Sequence, residues 1–540
     1  MSKRDSCLTN VDLSSHRRLS RPVEGLGRRQ FIINAGIVGT TGLATGLWAG
    51  PGLSAPKRGG SVKFGVAGGA ISDSLDPTGA PDTHLALTLW AIRNSLTEVK
   101  ESGELVGEVA ESWDASPDAK TWAFQIRKGV EFHNGKPLTA ADVVASLNIH
   151  RGEDSKSGGK VLMDPVVDIK TDGPHTVIFE LESGNADFPF LLSDYHLLIL
   201  PSSDGEVDWK SGVGTGGYIL EHFDPGVTVQ LKRNPNYFKG EERAHFAEVE
   251  LINIADSTAR QAALISGAVD AIGRVDIKTA ALLADVEGIN VVETTGSQYS
   301  TILMDTTVAP FDNYNVRMAM KYAIDREHLL RVVLQGHGAI GNDQPIGPTY
   351  RYFASELEQR PYDPERARSY LKKAGLERLK VELHTSEVAW PAGAIDAAVL
   401  CREFAKPAGI EIEIVRRPSD GYWAKVWKHV PLCMGYIGGR PTEDWVFTAF
   451  YESGAHYNDT HWNNAHFDKL LLRGRAELDD DKRRAIYGEM QELLRDDGGL
   501  IVPLFTNHIV ATSNKISTGE QLSGNWEMDN WRAVERWSLT

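Results

Sequence analysis

The stretch Gly435–Trp445, GYIGGRPTEDW, combines residue types that can bind an anion. Gly438 and Gly439 would let the backbone approach a ligand closely. Arg440 adds a planar fork of N–H donors that matches a carboxylate or a phosphate. Thr442 is the expected N-cap of a helix whose first N–H groups are free. The spacing therefore predicts an anion site, and a tight loop held together by Arg440 is the competing interpretation.

Two carboxylates, Glu443 and Asp444, follow at once, and either could bind an amine. Tryptophan and tyrosine are enriched around this stretch, between residues 422 and 462. Such rings mostly fill cores, but several of them together also suit a pocket for a flat or apolar ligand group. They are Trp423, Trp427, Tyr436, Trp445, Tyr451, Tyr457 and Trp462.

Catalytic and metal motifs are weak or missing in the sequence. The run Gly212–Gly217 satisfies G-x-G-x-x-G, but it follows a polar segment and leads into a strand, so a glycine turn is favoured over a dinucleotide site. His456, His461 and His466 could ligate a metal, yet their spacing of five fits neither a helix face nor a strand face. A polar loop is therefore favoured there, and we predict no enzyme activity, no metal and no cofactor.

Residues 1–55 are predicted to be an export signal that is removed, with Ala55 at the cleavage position. Arg28 and Arg29 precede Phe-Ile-Ile and an uncharged Gly/Ala/Leu-rich run, which resembles a twin-arginine signal. Without this leader the chain has 50 basic and 70 acidic residues, a net charge of −20. That balance argues against nucleic acid and anionic membranes as partners. Cys401 and Cys433 would remain, as two buried thiols or as a disulfide.

The elements around these residues alternate between strands and helices. A helix is predicted from about Asn315 to Gly336, and another begins at Asp363-Pro364. Strands are predicted at Leu379–Leu383, Ile410–Ile414 and Pro431–Ile437, with a helix at about 391–405 between the first two. This order indicates an α/β lobe with a largely parallel sheet, in which ligands bind beyond the carboxyl ends of the strands.

Seven motifs, in order along the chain, resemble those of one large family. They are Leu75-Asp76-Pro77, Ala110–Trp113, Phe132-His133-Asn134-Gly135, Gly214–Tyr218, Arg233–Tyr237, Asn315-Val316-Arg317 and Pro361–Ala367. On them the chain is identified as a member of the extracytoplasmic solute-binding proteins of ABC importers, peptide/nickel class, also called family 5. The resemblance runs from about residue 59 to residue 518. By its position in the sequence, His133 lies at a predicted strand-to-helix turn, which indicates a structural role.

The resemblance implies a two-lobed α/β fold of the periplasmic-binding-protein kind, type II-like, with an extra subdomain in the first lobe. By this analogy residues 56–300 form the first lobe, with the subdomain at about 98–200. Residues 301–499 form the second lobe, and residues 500–540 return to the first. The expected hinge crossings lie near residues 300 and 500.

The resemblance also implies a function: a monomer in the periplasm that closes on a small solute and delivers it to a membrane-embedded permease. Peptide-binding relatives usually carry a tryptophan and, shortly after it, an aspartate that binds the peptide amine. Aligning Gly435-Tyr436 with their Gly-Trp places Gly439 at that aspartate. We therefore predict an anionic, opine-like or sugar-acid solute, with an ordinary di- or oligopeptide held by Glu443 or Asp444 as the alternative. Nickel-chelate binding and a periplasmic enzyme on the same fold are further alternatives. Tyr299 and Asp82 complete the predicted ligand-binding set.

Overall fold

The computed structural model describes residues 56–79 and 81–540, so the predicted export signal lies outside the described residues. The described chain forms three larger sheets and three two-stranded ones. The strands are β1 (Ser61–Val66), β2 (Thr97–Val99), β3 (Leu105–Gly107), β4 (Ala110–Ala115), β5 (Thr121–Ile126), β6 (Val166–Thr171), β7 (Thr176–Leu181), β8 (Ser202–Ser203), β9 (Glu206–Val207), β10 (Tyr218–Asp224), β11 (Thr228–Arg233), β12 (Glu248–Asn253), β13 (Ala271–Ile272), β14 (Ile289–Thr294), β15 (Tyr299–Met304), β16 (Gly338–Ile340), β17 (Leu379–Thr385), β18 (Ile410–Arg416), β19 (Leu432–Ile437), β20 (Leu500–Thr506), β21 (His508–Ser513), β22 (Ile516–Ser517) and β23 (Ser538–Leu539).

Helices pack on the sheets and connect them. They are α1 (Thr83–Ile92), α2 (Ala140–Asn148), α3 (Lys160–Met163), α4 (Phe188–Leu191), α5 (Ser257–Ile265), α6 (Ala280–Ala284), α7 (Tyr314–Tyr322), α8 (Arg326–Val333), α9 (Pro364–Lys373), α10 (Ala394–Ala405), α11 (Tyr422–Lys425), α12 (Glu443–Phe450), α13 (Ala465–Ala476), α14 (Asp480–Asp497), α15 (Glu527–Asn530) and α16 (Ala533–Arg536). None of the helices in the described residues is both long and apolar enough to cross a membrane.

Two large sheets define two lobes. The first lobe contains seven strands in the order β10-β11-β12-β1-β13-β21-β14. The second lobe contains six, in the order β16-β20-β15-β19-β17-β18. A four-stranded antiparallel sheet, β4-β5-β7-β6, forms a subdomain with its own apolar core. Each of the three units is therefore packed around an apolar core of its own.

The chain passes between the two large sheets twice. It leaves the first lobe through residues 295–298, between β14 and β15, and returns at Asn507, between β20 and β21. The return therefore comes later than predicted, because β20 pairs with β15 and β16 and belongs to the second lobe. The other domain boundaries remain predictions.

Two details of the second lobe differ from the sequence prediction. Its sheet is mixed rather than largely parallel: β17 pairs parallel with β18 and β19, but β15 runs antiparallel to both β19 and β20. The helix predicted from Asn315 to Gly336 is two helices, α7 and α8. It breaks because the Asp325 carboxylate accepts a hydrogen bond from His328 N and starts a second helix.

His133 has the structural role that its position in a turn predicts. Its Nδ1 accepts from Gly214 N at 3.3 Å, and its Nε2 contacts Gly216 O at 3.0 Å, so the imidazole is neutral with the proton on Nε2. Burial lowers the pKa of His133, which favours this neutral form. A Cβ on Gly214 would lie 2.0 Å from Ile92 O. The G-x-G-x-x-G run is therefore a close-packed turn before β10, as the sequence indicates.

A buried ion cluster joins the C-terminal segment to the first lobe. Lys239 Nζ lies 2.6 Å from Glu98 Oε2, 2.6 Å from Glu108 Oε1 and 2.8 Å from Glu535 Oε1. Arg532 pairs with Glu108 and Glu535 from the other side. The three carboxylates lie close enough together to hold a metal ion, but the Lys239 ammonium already occupies the space between them. Burial raises the pKa of Glu535, yet Arg532 and Lys239 outweigh it and lower that pKa to about 2.

We expect Lys239→Met to lower the free energy of unfolding in urea by about 3–5 kcal/mol, because it removes the one cation that all three buried carboxylates share. Glu535 has a folded pKa below its ordinary value, so its contribution is present above about pH 4.5 and is lost as the pH falls toward 2. Lys232→Met is the matched control, since Lys232 is exposed and lies 4.0 Å from Glu221. Equal losses in the two variants at neutral pH would contradict a role of the cluster in stability.

Candidate functional site

A cavity of about 400 Å³ lies between the lobes. The first lobe contributes Trp90 of α1, and the subdomain contributes Asp187, Asp194 and Tyr195. The second lobe contributes residues 348–351 and 440–443. The remaining walls are the crossing segment near Ser297 and residues 521–526 with Asn530, which we call the C-terminal strap. A volume near the lower end of the usual range for ligand sites suits a small solute.

Arg440 lies in this cavity at the end of β19, as the sequence predicts. Its Nη1 donates to Gly438 O at 3.2 Å and to Gly439 O at 2.9 Å, and its guanidinium lies over the Trp445 and Phe450 rings. Within residues 56–79 and 81–540, no carboxylate lies within 4.0 Å of this guanidinium. The side chain therefore has a fixed orientation and donors that remain available to an anion.

The helix after Arg440 begins as predicted, but its N-terminus is not an open anion site. Thr442 caps α12 and its side chain accepts from Trp445 N at 3.2 Å. The carboxylates of Glu443 and Asp444 occupy the first turn and already complement its partial positive charge. An anion in the cavity would therefore be attracted by Arg440 rather than by the helix.

Glu443 and Asp444 are both buried but differ in their partners. Asp444 accepts from Arg475 Nε at 3.1 and 3.3 Å and does not line the cavity. Glu443 lines the cavity, and its Oε1 accepts from Tyr352 N at 2.6 Å. Burial, and next Asp187, raise the pKa of Glu443 to about 7. Since no lysine or arginine in the described chain pairs with it, Glu443 is the acid that could meet a ligand amine.

Gly439 cannot be the position of an amine-binding aspartate. A Cβ there would lie 1.9 Å from Ser297 Oγ and 2.7 Å from Asn525 Oδ1. Ser297 belongs to the crossing segment and Asn525 to the C-terminal strap, so the glycine allows three segments to meet. A Cβ on Gly438 would meet nothing closer than Trp526 at 3.7 Å. Of these two glycines, only Gly439 therefore lies where a larger residue would clash.

Five other residues predicted for the site lie elsewhere or contribute only indirectly. Tyr299 is fully buried in the second lobe and its hydroxyl meets Tyr451 at 3.0 Å. Tyr436 is 38% exposed and packs edge-on against Trp423. Trp445 packs between Arg440 and the subdomain core. Asp82 caps α1 and pairs with Arg274. Asp444 binds Arg475. None of these five side chains lines the cavity.

The aromatic wall comes from residues that the sequence did not single out. Trp526 stacks on Trp531 with ring centroids 4.7 Å apart, and Tyr195 packs edge-on against both. Trp526, Tyr195 and Trp90 line the cavity. The aromatic residues at 422–462 instead pack in the second lobe, apart from the contact of Trp445 with the subdomain. The nearby run Gln521–Trp526 contains no periodicity that could have indicated this role.

The C-terminal strap is held by an unusual backbone. Met528, Asp529, Asn530 and Trp531 all have φ between 51° and 59°, which is the left-handed region. Such a conformation costs energy in residues other than glycine. It is secured by Asp529, whose Oδ1 accepts from Ser523 N at 2.8 Å and pairs with Arg536 at 3.1 Å. The turn places Trp526 and Asn530 toward the cavity.

The histidine trio does not assemble. His466 contacts Glu489 and His461 contacts Asp305, and the grouped metal-ligating side chains found in the described chain do not include them. Cys401 and Cys433 are buried and unpaired. Burial raises the pKa of Cys401 to about 12, so this thiol is inert.

Comparisons with known proteins agree with this architecture. The model for "Bacterial extracellular solute-binding proteins, family 5 Middle" matches residues 104–459. The dipeptide-binding protein of Escherichia coli K12 is 25% identical over 447 residues, covering 76% of this chain and 82% of that protein. The glutathione-binding protein GsiB of Salmonella choleraesuis is 25% identical over 509 residues, covering 91% and 96%. A solved structure, AgaA of A.tumefacien R10 in complex with agropinic acid, has a TM-score of 0.72 at 23% identity and covers 89% of this chain and 99% of that one.

Two lobes joined by two crossings, with a cavity between them, define a solute-binding protein. The chain belongs to the family 5 bacterial extracellular solute-binding proteins, which serve ABC importers. The two-lobed α/β fold predicted from the sequence is confirmed. Members of this family are binding proteins, and lobes of this kind close on a solute and shield it from water.

We expect Gly439→Ala to lower the free energy of unfolding in urea by about 1–3 kcal/mol, because its Cβ would force Ser297 or Asn525 to move. Gly438→Ala is the matched control and should change that free energy by less than about 0.5 kcal/mol, since its Cβ makes only ordinary contacts. Similar effects at the two positions would show that Gly439 is not a close contact between the lobes.

Proposed function

We propose that this protein captures a small amino-acid-derived solute that carries a carboxylate, such as an opine-like or sugar-acid conjugate, and delivers it to an ABC permease. The observation that supports the proposal is Arg440, a cation in the cavity with no carboxylate partner in the described part of the chain. A charge-assisted contact to its guanidinium contributes about 1.5–3 kcal/mol of binding free energy.

The other charges of the cavity support a ligand of mixed charge. Asp187 pairs with Arg483 at 2.7 Å, Asp194 contacts His196 at 2.6 Å, and Glu101 pairs with Arg536 at 3.3 Å. Arg351 pairs with Asp480. Among the described cavity residues this leaves Arg440 without a carboxylate partner and Glu443 without a basic side chain. A solute with a carboxylate and a cationic nitrogen would neutralise both.

The shape of the site favours a compact ligand with an apolar or ring-bearing part. A cavity of about 400 Å³ encloses a small conjugate, and Trp526, Tyr195 and Trp90 offer flat apolar surface beside the charged groups. An opine-like conjugate combines carboxylates, a secondary amine and a side chain in one such molecule. The similar protein AgaA, whose structure was solved in complex with agropinic acid, supports this class.

An ordinary di- or tripeptide is the second candidate. Glu443 favours it, because a buried carboxylate in the cavity can bind a peptide amine. The dipeptide-binding and glutathione-binding relatives support it as well. The two candidates differ in whether a free α-amine is needed, so a thermal-shift panel of agropinic acid, glutathione and dialanine separates them. Stabilisation by agropinic acid alone would exclude the peptide, and stabilisation by dialanine alone would exclude the opine.

We expect Arg440→Ala to weaken binding of the solute that copurifies with the protein, identified by mass spectrometry, by about tenfold or more in calorimetry. The loss should be greatest for ligands with a free carboxylate and small for their esters. Arg402→Ala is the control, since Arg402 is 40% exposed and contacts Glu403 away from the cavity. Unchanged affinity in Arg440→Ala would refute the carboxylate site.

We also propose that the protein is exported to the periplasm by the twin-arginine route and works there as a monomer. The support is Arg28-Arg29 before an apolar run, in the leader that lies outside the described residues. Changing both to lysine should leave unprocessed protein in the cytoplasm in cell fractionation. The same change at Arg17-Arg18, which no apolar run follows, is the matched control. Normal export after Arg28→Lys and Arg29→Lys would exclude this route.

A further inference from the structure

A buried ion pair joins the two lobes beside the cavity. Asp187, in the subdomain, places its Oδ2 2.7 Å from Arg483 Nη2 of α14, and both side chains are 3% exposed. Next to this pair, Ala186 N donates to Arg475 O across the same boundary at 2.7 Å. These contacts exist only while the subdomain and the second lobe touch, so they stabilise the closed arrangement alone.

The cluster around this pair has unequal numbers of charges. It contains three carboxylates, Asp187, Glu443 and Asp444, and two guanidinium groups, Arg475 and Arg483. The nearby Arg351 and Asp480 pair with each other. Two half-buried groups of opposite charge, Glu452 beside Arg475 and Arg440 beside Tyr350, also face the cluster, so these four groups add no net charge. The tyrosines that face the cluster keep their protons, because burial raises the pKa values of Tyr350, Tyr352 and Tyr487. One carboxylate in the closed cluster is therefore not neutralised.

That carboxylate is Glu443. Asp187 has Arg483 as its partner and Asp444 has Arg475, whereas Glu443 accepts only from Tyr352 N among the described residues. The charge of Asp187, on the opposite lobe, raises the pKa of Glu443 and that of Arg483 lowers it, so closure brings a second negative charge into the surroundings of Glu443. An unneutralised carboxylate in a buried place costs several kcal/mol unless a cation or a proton arrives.

We infer that Asp187 and Arg483 form a latch between the lobes, and that this latch closes fully only when a positive charge or a proton reaches Glu443. Closure by a cationic group of the ligand rests on the proposed function, whereas closure by a proton on Glu443 does not depend on it. Asp187 and Arg483 are positioning residues, because they act on the solute through the closure of the cleft.

The direction of the pH dependence follows from Glu443. In the closed form its pKa is raised to about 7 by burial and then by Asp187, and in an open cleft it would return toward its ordinary value of 4.5. The closed form therefore binds more protons between about pH 4.5 and pH 7. Lowering the pH through that window favours closure, and raising it favours opening in the absence of ligand.

The test is small-angle X-ray scattering of the ligand-free full chain at about pH 8 and about pH 5.5, with closure read as the radius of gyration. The wild-type protein should be more compact at the lower pH. Glu443→Gln should lose most of this change, because its cluster has two carboxylates and two guanidinium groups. The remainder comes from Asp444, whose pKa is raised to about 6 by burial and next by Asp187. Glu489→Gln is the matched control and should behave as wild type, since Glu489 is exposed and contacts only His466.

Asp187→Asn, on the opposite lobe, distinguishes the latch from a merely structural role. It leaves Glu443 and Asp444 opposite Arg475 and Arg483 and removes the Asp187 charge, so the dependence on pH should be weaker than in wild type although Glu443 itself is intact. A wild-type radius that does not change with pH, or a pH response in Glu443→Gln or Asp187→Asn as large as that of wild type, would overturn the inference. This experiment uses no ligand, so its outcome does not depend on whether Arg440 binds a carboxylate.

Discussion

The shape of the cavity depends on the ammonium group of Lys239 and the three carboxylates around it. This cluster fixes the C-terminal segment against the first lobe, with Glu535 of α16 meeting Glu98 and Glu108 across Lys239. Arg536 of the same helix binds Asp529 in the left-handed turn that precedes it. A backbone that is costly by itself is thus held by ion pairs that are shielded from water, and the turn presents Trp526 and Asn530 to the ligand space.

The second lobe meets this strap through one glycine. At Gly439 the loop after β19 approaches both Ser297 of the crossing segment and Asn525 of the strap. The same loop orients Arg440 by its own carbonyl groups and ends at the Thr442 cap. A few residues therefore close the hinge side of the cavity, and the same residues orient Arg440. Among the described cavity residues, Arg440 is the only arginine without a carboxylate partner. Since this loop contributes both to the contact between the lobes and to ligand binding, a substitution in the loop would alter both.

Local features of the site could be predicted from the sequence, and distant ones could not. The strand end, the Thr442 cap and the exposure of Arg440 and Glu443 to the cavity follow from a dozen consecutive residues. The aromatic wall combines Trp90, Tyr195 and Trp526, which only the tertiary fold brings together. Aromatic enrichment at 422–462 indicated rings to be buried but not which surface they would cover. Similarly, the spacing of helices and strands in the sequence indicates only an α/β lobe. The sheet is mixed because of the order in which its strands pair, which the spacing does not reveal.

The net charge of the protein and the charge of its cavity are separate properties. A chain that is acidic overall stays soluble, but screening by salt weakens the effect of its surface charges beyond about 10 Å. In the cavity, where most charges are already paired, the two unpaired groups act at short range and with little screening. Arg440 would attract a carboxylate and repel a cation, and Glu443 would do the reverse. Each group therefore disfavours a solute of a single charge that the other would bind. Selectivity then comes from satisfying both in one small molecule, and an ion of a single sign would leave one buried charge unneutralised when the lobes close.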